Sequence, residues 1–91
     1  MREELFTVDD LFKIAGREGI VIVGNYQPNF PEIKLGSEIV LIQPNGREVI
    51  TEVDGVERIQ TVSGIKKIAF LIKLFTKKED IPPGTQVFLE K

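Results

Sequence analysis

The chain has no cysteine, no histidine and no tryptophan, and its one methionine is the first residue. Without cysteine and histidine there are no disulfides, thiolate nucleophiles or imidazole bases, and the usual zinc ligands are missing. A metal could be held by carboxylates alone, but the acidic residues lack the spacing of a calcium-binding loop, so no metal or other cofactor is expected. No phosphate loop of the form GxxxxGK[ST] is present, which argues against a nucleotide. The GREG stretch from Gly16 to Gly19 lies between two strand-like runs and reads as a turn. No apolar run approaches the roughly 18 residues of a spanning helix, and no basic start leads into an apolar signal segment. The expectation is a soluble, cytoplasmic chain with no membrane partner and no catalytic residues. The missing Cys and Trp, with the weight of Ile, Lys and Glu, fit a heat-adapted composition.

What is present is ordinary for a globular domain: 91 residues, 42% apolar and 29% charged. That is one domain over residues 1–91 with a single modest core. Net charge is −2, so the chain as a whole offers a polyanion no long-range attraction. The charge is uneven, however. Glu3, Glu4, Asp9 and Asp10 stand against Arg2 near the start, while Lys66, Lys67, Lys73, Lys77 and Lys78 follow one another with no acid between them. These lysines are either a basic face or solvated strand and loop residues.

β-Branched and aromatic residues dominate the apolar runs, and Gly, Pro and Asn interrupt them at short intervals, which is an all-β pattern. Strands are expected near Leu5–Ile14, Gly19–Tyr26, Ser37–Gln43, Arg47–Glu57, Lys66–Phe75 and Thr85–Leu89. In IQPNGREVI, Asn45 and Gly46 are expected to take positive φ together and close a tight primed turn. Along KKIAFLIKLF, Ile68, Phe70, Ile72 and Leu74 share a core face, and Lys67, Ala69, Leu71, Lys73 and Phe75 share the other. GIVIVG and SEIVLI are apolar on both faces. Six short strands without helical crossovers predict a single small closed antiparallel β-barrel, part of whose outer wall is covered by something else.

One device occurs twice, as IKLGSEIVLI from Ile33 and IPPGTQVFLE from Ile81. In each, an Ile is expected to plug an end of the barrel while Gly36 or Gly84 takes positive φ before the chain re-enters as a strand. The flanking segments do not match at a fixed period, so the two copies are two entries into one barrel and not a duplication.

VDDLFKIAGREGIVIVG from Val8, then IKLGSE, TEVDGVE from Thr51 and DIPPGTQV together resemble the second, β-barrel domain of the translation GTPases, of the elongation factor Tu kind. The resemblance covers nearly the whole chain and implies a barrel of the translation-protein type, here with no GTPase motif. In that family the barrel helps hold the aminoacylated 3′ end of tRNA. The resemblance then implies binding positions at Asp9, Asp10 and Phe12 beside the aminoacyl group, at Arg17 in the glycine-rich turn, and at Glu57 near the terminal adenine. Carboxylates can accept from an ammonium or adenine amino group, and Phe can offer a stacking face. The chain departs from the family at Val23, where a Thr is common, at Ile59, where a His or aromatic is usual, and at Lys67, in place of an Asn.

The residues also have structural readings. Phe12 would be core, Asp9 and Asp10 would end a strand or satisfy turn amides, and Arg17 would pair with Glu18 or Asp10. The insertion NYQPNFPE from Asn25 to Glu32 would either present Tyr26 and Phe30 outward to a partner or fold Phe30 back as a lid. The functional expectation is a docking module for a protein or ribonucleoprotein partner, with a homo-oligomer as one way to cover the outer wall. The rival is an RNA-binding module in which the lysines meet a single-stranded end and Tyr26 or Phe30 stacks on a base.

Overall fold

Runs of β-branched residues become strands, and no helix occurs among the described residues, which in a computed structural model are 2–13, 16, 18–26, 30–60, 62, 64, 66–73 and 81–90. The strands are β1 (Arg2–Thr7), β2 (Asp10–Phe12), β3 (Ile20–Asn25), β4 (Glu38–Ile42), β5 (Glu48–Glu52), β6 (Gly55–Gln60), β7 (Lys66–Ile72) and β8 (Gln86–Glu90). They form two antiparallel four-stranded sheets, in the orders β1-β8-β4-β5 and β2-β3-β7-β6.

Two of the six expected strands are therefore each divided in two. The expected Leu5–Ile14 strand becomes β1 and β2, and Arg47–Glu57 becomes β5 and β6. At both breaks the backbone changes partners within two residues. The amide of Val8 donates to the Thr85 carbonyl (2.8 Å), and that of Asp9 to the Val23 carbonyl (3.0 Å). Likewise the Val53 amide donates to Ser37 (3.0 Å) and the Asp54 amide to Leu71 (2.8 Å). No buried amide is left open at these corners, so turning from one sheet to the other forfeits little hydrogen bonding. Each corner shifts the alternation by one residue: Val8 and Leu11, and Val53 and Val56, stand three apart yet all reach the core.

The core lies between the sheets. Ile20, Ile22, Ile68, Phe70 and Ile72 of the second sheet meet Ile39, Leu41, Val87 and Leu89 of the first. The alternation read along β7 holds for its described residues: Ile68, Phe70 and Ile72 belong to this core, while Ala69 and Leu71 do not. Leu74 and Phe75 lie outside the described residues. In β1, Leu5 and Phe6 are adjacent yet both buried. The pairing with β8 shifts between Glu4 and Phe6, and such a bulge breaks the alternation of faces.

The repeated device builds the same turn twice. Gly36 and Gly84 both have φ of 88°, the Ser37 amide donates to the Lys34 carbonyl (3.0 Å), and the Thr85 amide donates to Pro82 (3.3 Å). The hydroxyls differ for a covalent reason. Ser37 Oγ accepts from the Lys34 amide (3.1 Å), whereas Pro82 has no N–H, and Thr85 Oγ1 instead donates to its carbonyl (2.6 Å). The isoleucines follow suit: Ile81 is buried in the core and Ile33 packs against it. A methyl group meets no clash at Gly36 and only ordinary contact at Gly84, so the cost of alanine at either site is conformational. Gly36→Ala and Gly84→Ala are each expected to lower stability by about 1 kcal/mol, with Asn less costly than Ala, as read from urea denaturation midpoints.

The hairpin tip differs from expectation. Gly46 has φ of 89°, but Asn45 does not have positive φ. The Gly46 amide donates to the Gln43 carbonyl (2.8 Å), and the Gln43 amide to Arg47 (2.8 Å). This is a type I turn followed by a left-handed glycine, the three-residue hairpin loop, and Pro44 at its second position favours it over the primed turn. Asn45 contributes its side chain instead, Oδ1 accepting from the Arg47 amide (3.0 Å).

Candidate functional site

Cross-strand register gathers most of the described candidate residues on the second sheet. Asp10 pairs with Val23, Val23 with Ala69 and Ala69 with Glu57; in the next row Phe12 pairs with Val21, Val21 with Leu71 and Leu71 with Gly55. Directly opposed residues project from the same side of a sheet, so Asp10, Phe12 and Glu57 share one face with Val21, Val23, Ala69 and Leu71. Those four apolar residues form a buried cluster separate from the main core, on the side facing away from it. Gly55 leaves a depression beside Leu71, and a pocket of about 160 Å³ opens there, with Asp54 and Glu57 at its rim.

The residues implied by the resemblance fall in different settings. Phe12 is 41% exposed, so it is a surface ring and not the core residue its chemistry predicts. Asp10 Oδ1 accepts from the amide of Leu11 (2.9 Å), a local strand-end contact. The Asp9 carboxylate takes the ammonium of Lys67, which also donates to Asn25 Oδ1 (2.8 Å). Glu57 is exposed, and Arg17 lies outside the described residues. The departures from the family pattern land on this same face. Val23 joins the apolar cluster, and Ile59, 38% exposed, sits directly opposite Lys67. Two positions that would offer hydrogen bonds are thus apolar, and Lys67 is already engaged.

The described lysines do not gather in one place. Lys66 and Lys67 begin β7, whereas exposed Lys73 follows its other end and borders a pocket with Glu52 and Asp54. Lys77 and Lys78 lie outside the described residues.

Lys66 and Lys67 instead join Tyr26, Arg58, Ile59 and Gln60 around a pocket of about 280 Å³. The aromatic residues of the insertion are turned inward. Tyr26 and Phe30 stack at 5.3 Å between ring centroids and 28° between planes, and Phe30 meets the fully buried Phe70 edge-on at 6.4 Å. The guanidinium of Arg58 lies 5.6 Å from the Tyr26 ring centroid, a cation–π contact. Arg58 stands apart from the lysine run and nothing local in the sequence marks it as a site residue; it follows Glu57 in β6, so alternation alone sends the two to opposite faces.

Arg2 binds Glu48 (2.7 Å) and Glu90 (2.9 Å), and hydrogen bonds to Glu90 and then Glu48 raise its pKa above the ordinary arginine value. This clamp on exposed ends of the first sheet is far from titrating at neutral pH.

Among the described residues no group of three or more carboxylates converges as a metal site, and no helix is long and apolar enough to cross a membrane. No family model matches the chain, and no curated protein or solved structure matches it either.

Proposed function

We propose that the chain is a non-catalytic docking module, a closed six-stranded barrel similar to the second domain of the translation GTPases, which binds a protein or ribonucleoprotein partner through the outer face of its second sheet. The observation that carries the reading is the pair of exposed apolar side chains, Phe12 and Ile59, on the outer face floored by the buried cluster of Val21, Val23, Ala69 and Leu71. An apolar strip edged by Asp10, Asp54 and Glu57 has the composition of an interface centre with a charged rim. The departure at Ile59 favours a protein surface over an aminoacyl group, since it trades a hydrogen-bonding position for exposed apolar area.

Support for closure comes from the hydrogen-bond order. With β1 and β2 taken as one bent strand and β5 and β6 as another, pairing runs in a ring: β1/β2, β8, β4, β5/β6, β7, β3 and back to β2. Such a ring pairs every bent strand with two neighbours, so recognition is assigned to side chains on its faces.

A photo-crosslinking residue in place of Phe12 is expected to give a discrete adduct in lysate of the source cells, and Ile59→Glu to abolish it. The same probe in place of Arg47, at the hairpin tip, should give none. Both Phe12 and Ile59 are exposed, so neither change should move stability by more than about 0.5 kcal/mol. Identical adducts from the two probe positions, or none from either, would remove the reading; an adduct of twice the chain mass would identify the partner as a second copy.

A further inference from the structure

We infer that the pocket between Tyr26, Arg58, Gln60 and Lys66 is a binding site for a phosphomonoester. It adjoins the proposed docking face at Ile59 and Lys67, which also line it, but Arg58 pairs across the sheet with Ile68 of the main core and so projects to the opposite side from Glu57 and Ile59.

Three features define the ligand. Firstly, the described lining contains Arg58, Lys66 and Lys67 and no carboxylate. Neither Arg58 nor Lys66 has an ion-pair partner among the described residues, whereas Lys67 is held by Asp9 and Asn25. Two uncommitted cations match the two charges of a phosphomonoester, and the Gln60 amide and Tyr26 hydroxyl can supply further donors. Secondly, Arg58 is placed in advance. Its guanidinium rests over Tyr26, Tyr26 stacks on Phe30, and Phe30 is seated against buried Phe70, so the chain of contacts runs from the core to the guanidinium. A planar fork held this way loses less freedom on closing onto phosphate oxygens than a free arginine would. Thirdly, the Tyr26 ring is already engaged by both Phe30 and Arg58, so the site offers a nucleobase no free aromatic platform. The ligand is recognised by its phosphate and not by its base.

Such a phosphate could sit on a free nucleotide or at the end of an RNA strand. Fluorescence anisotropy at low salt with a short oligoribonucleotide bearing a 5′-phosphate, the same strand with a 5′-hydroxyl, and AMP and inorganic phosphate as competitors separates these. The phosphorylated strand is expected to bind at least about tenfold more tightly than the hydroxyl strand, and inorganic phosphate to displace it. Arg58→Gln and Lys66→Gln should each weaken binding about tenfold or more and flatten the salt dependence by about 0.7 in log–log slope, while Arg47→Gln at the hairpin tip changes neither. AMP competing as well as the strand would assign the pocket to small phosphomonoesters; a strand much tighter than AMP would assign it to strand ends. Equal binding of the two strands, absence of binding by all four probes, or unaltered affinity in folded Arg58→Gln and Lys66→Gln would overturn the inference. None of these results depends on the Phe12 and Ile59 crosslinks, so the two readings fail independently.

Discussion

Gly24→Ala is expected to lower the free energy of unfolding by about 3 kcal/mol, at the upper end of overpacking costs. A Cβ added there would stand 2.1 Å from Phe6 Cδ1, 2.5 Å from Cγ and 2.9 Å from the Phe6 Cβ. Gly24 does not have positive φ, so backbone conformation is not at issue and the cost is entirely steric. Because the clash includes the Phe6 Cβ, turning the ring about its side-chain bonds cannot relieve it; β1 and β3 must move apart. These strands lie in different sheets with the core between them, and Phe6 also packs on Phe70, 5.4 Å away between ring centroids. Separating them would loosen the seat of Phe6 against the second sheet. Urea denaturation should show a lower midpoint at unchanged slope, since the surface exposed on unfolding stays the same. Adding Phe6→Leu should recover part of the loss, and the two changes should couple strongly in a double-mutant cycle. A Gly24→Ala protein within about 0.5 kcal/mol of the parent would mean that Phe6 does not press on Gly24.

The sequence conveyed the all-β class, the face alternation of β7 and the paired turns at Gly36 and Gly84, because each rests on local chemistry: β-branched runs, period 2, and a glycine after two turn residues. The two corners were hidden for the converse reason. At Val8–Asp9 and Val53–Asp54 the chain changes its partner strand, which is a property of distant residues. The same limit governs the candidate site. A resemblance could nominate Asp10, Phe12 and Glu57, yet only cross-strand register brings Val21 and Leu71 in as their floor. A run of lysines looks like one face along the chain, but β7 spans the sheet, so Lys66 and Lys73 stand at opposite ends of it. Arg58 was invisible as a site residue because its setting depends on Tyr26, more than thirty positions earlier in the chain.

Phe70→Ala is expected to have the larger effect on stability, about 3–5 kcal/mol, through lost transfer free energy and the cavity left behind. Phe70 is fully buried in the core and, among the described residues, is the one ring that touches both Phe6 and Phe30. A loss of that size would consume much of the stability of a domain this small, and the alanine variant is expected to be partly unfolded at 37 °C. The milder Phe70→Leu keeps most of the volume, at a cost of about 1–1.5 kcal/mol, and isolates the second consequence. Leucine removes the edge contact on which Phe30 rests, so the Tyr26–Phe30 stack and the Arg58 guanidinium above it lose their seat while the two sheets persist. Tyr26 is the single tyrosine of a chain without tryptophan, so tyrosine fluorescence reports on that stack alone. Phe70→Leu should therefore change the exposure of Tyr26 to a soluble quencher and weaken phosphate binding in parallel, with far-ultraviolet circular dichroism unchanged. If stability falls but quenching and phosphate affinity stay at parental values, the path from the core through Phe30 and Tyr26 to Arg58 does not position the guanidinium. Pre-organisation of the cationic pocket would then have to come from β6 itself.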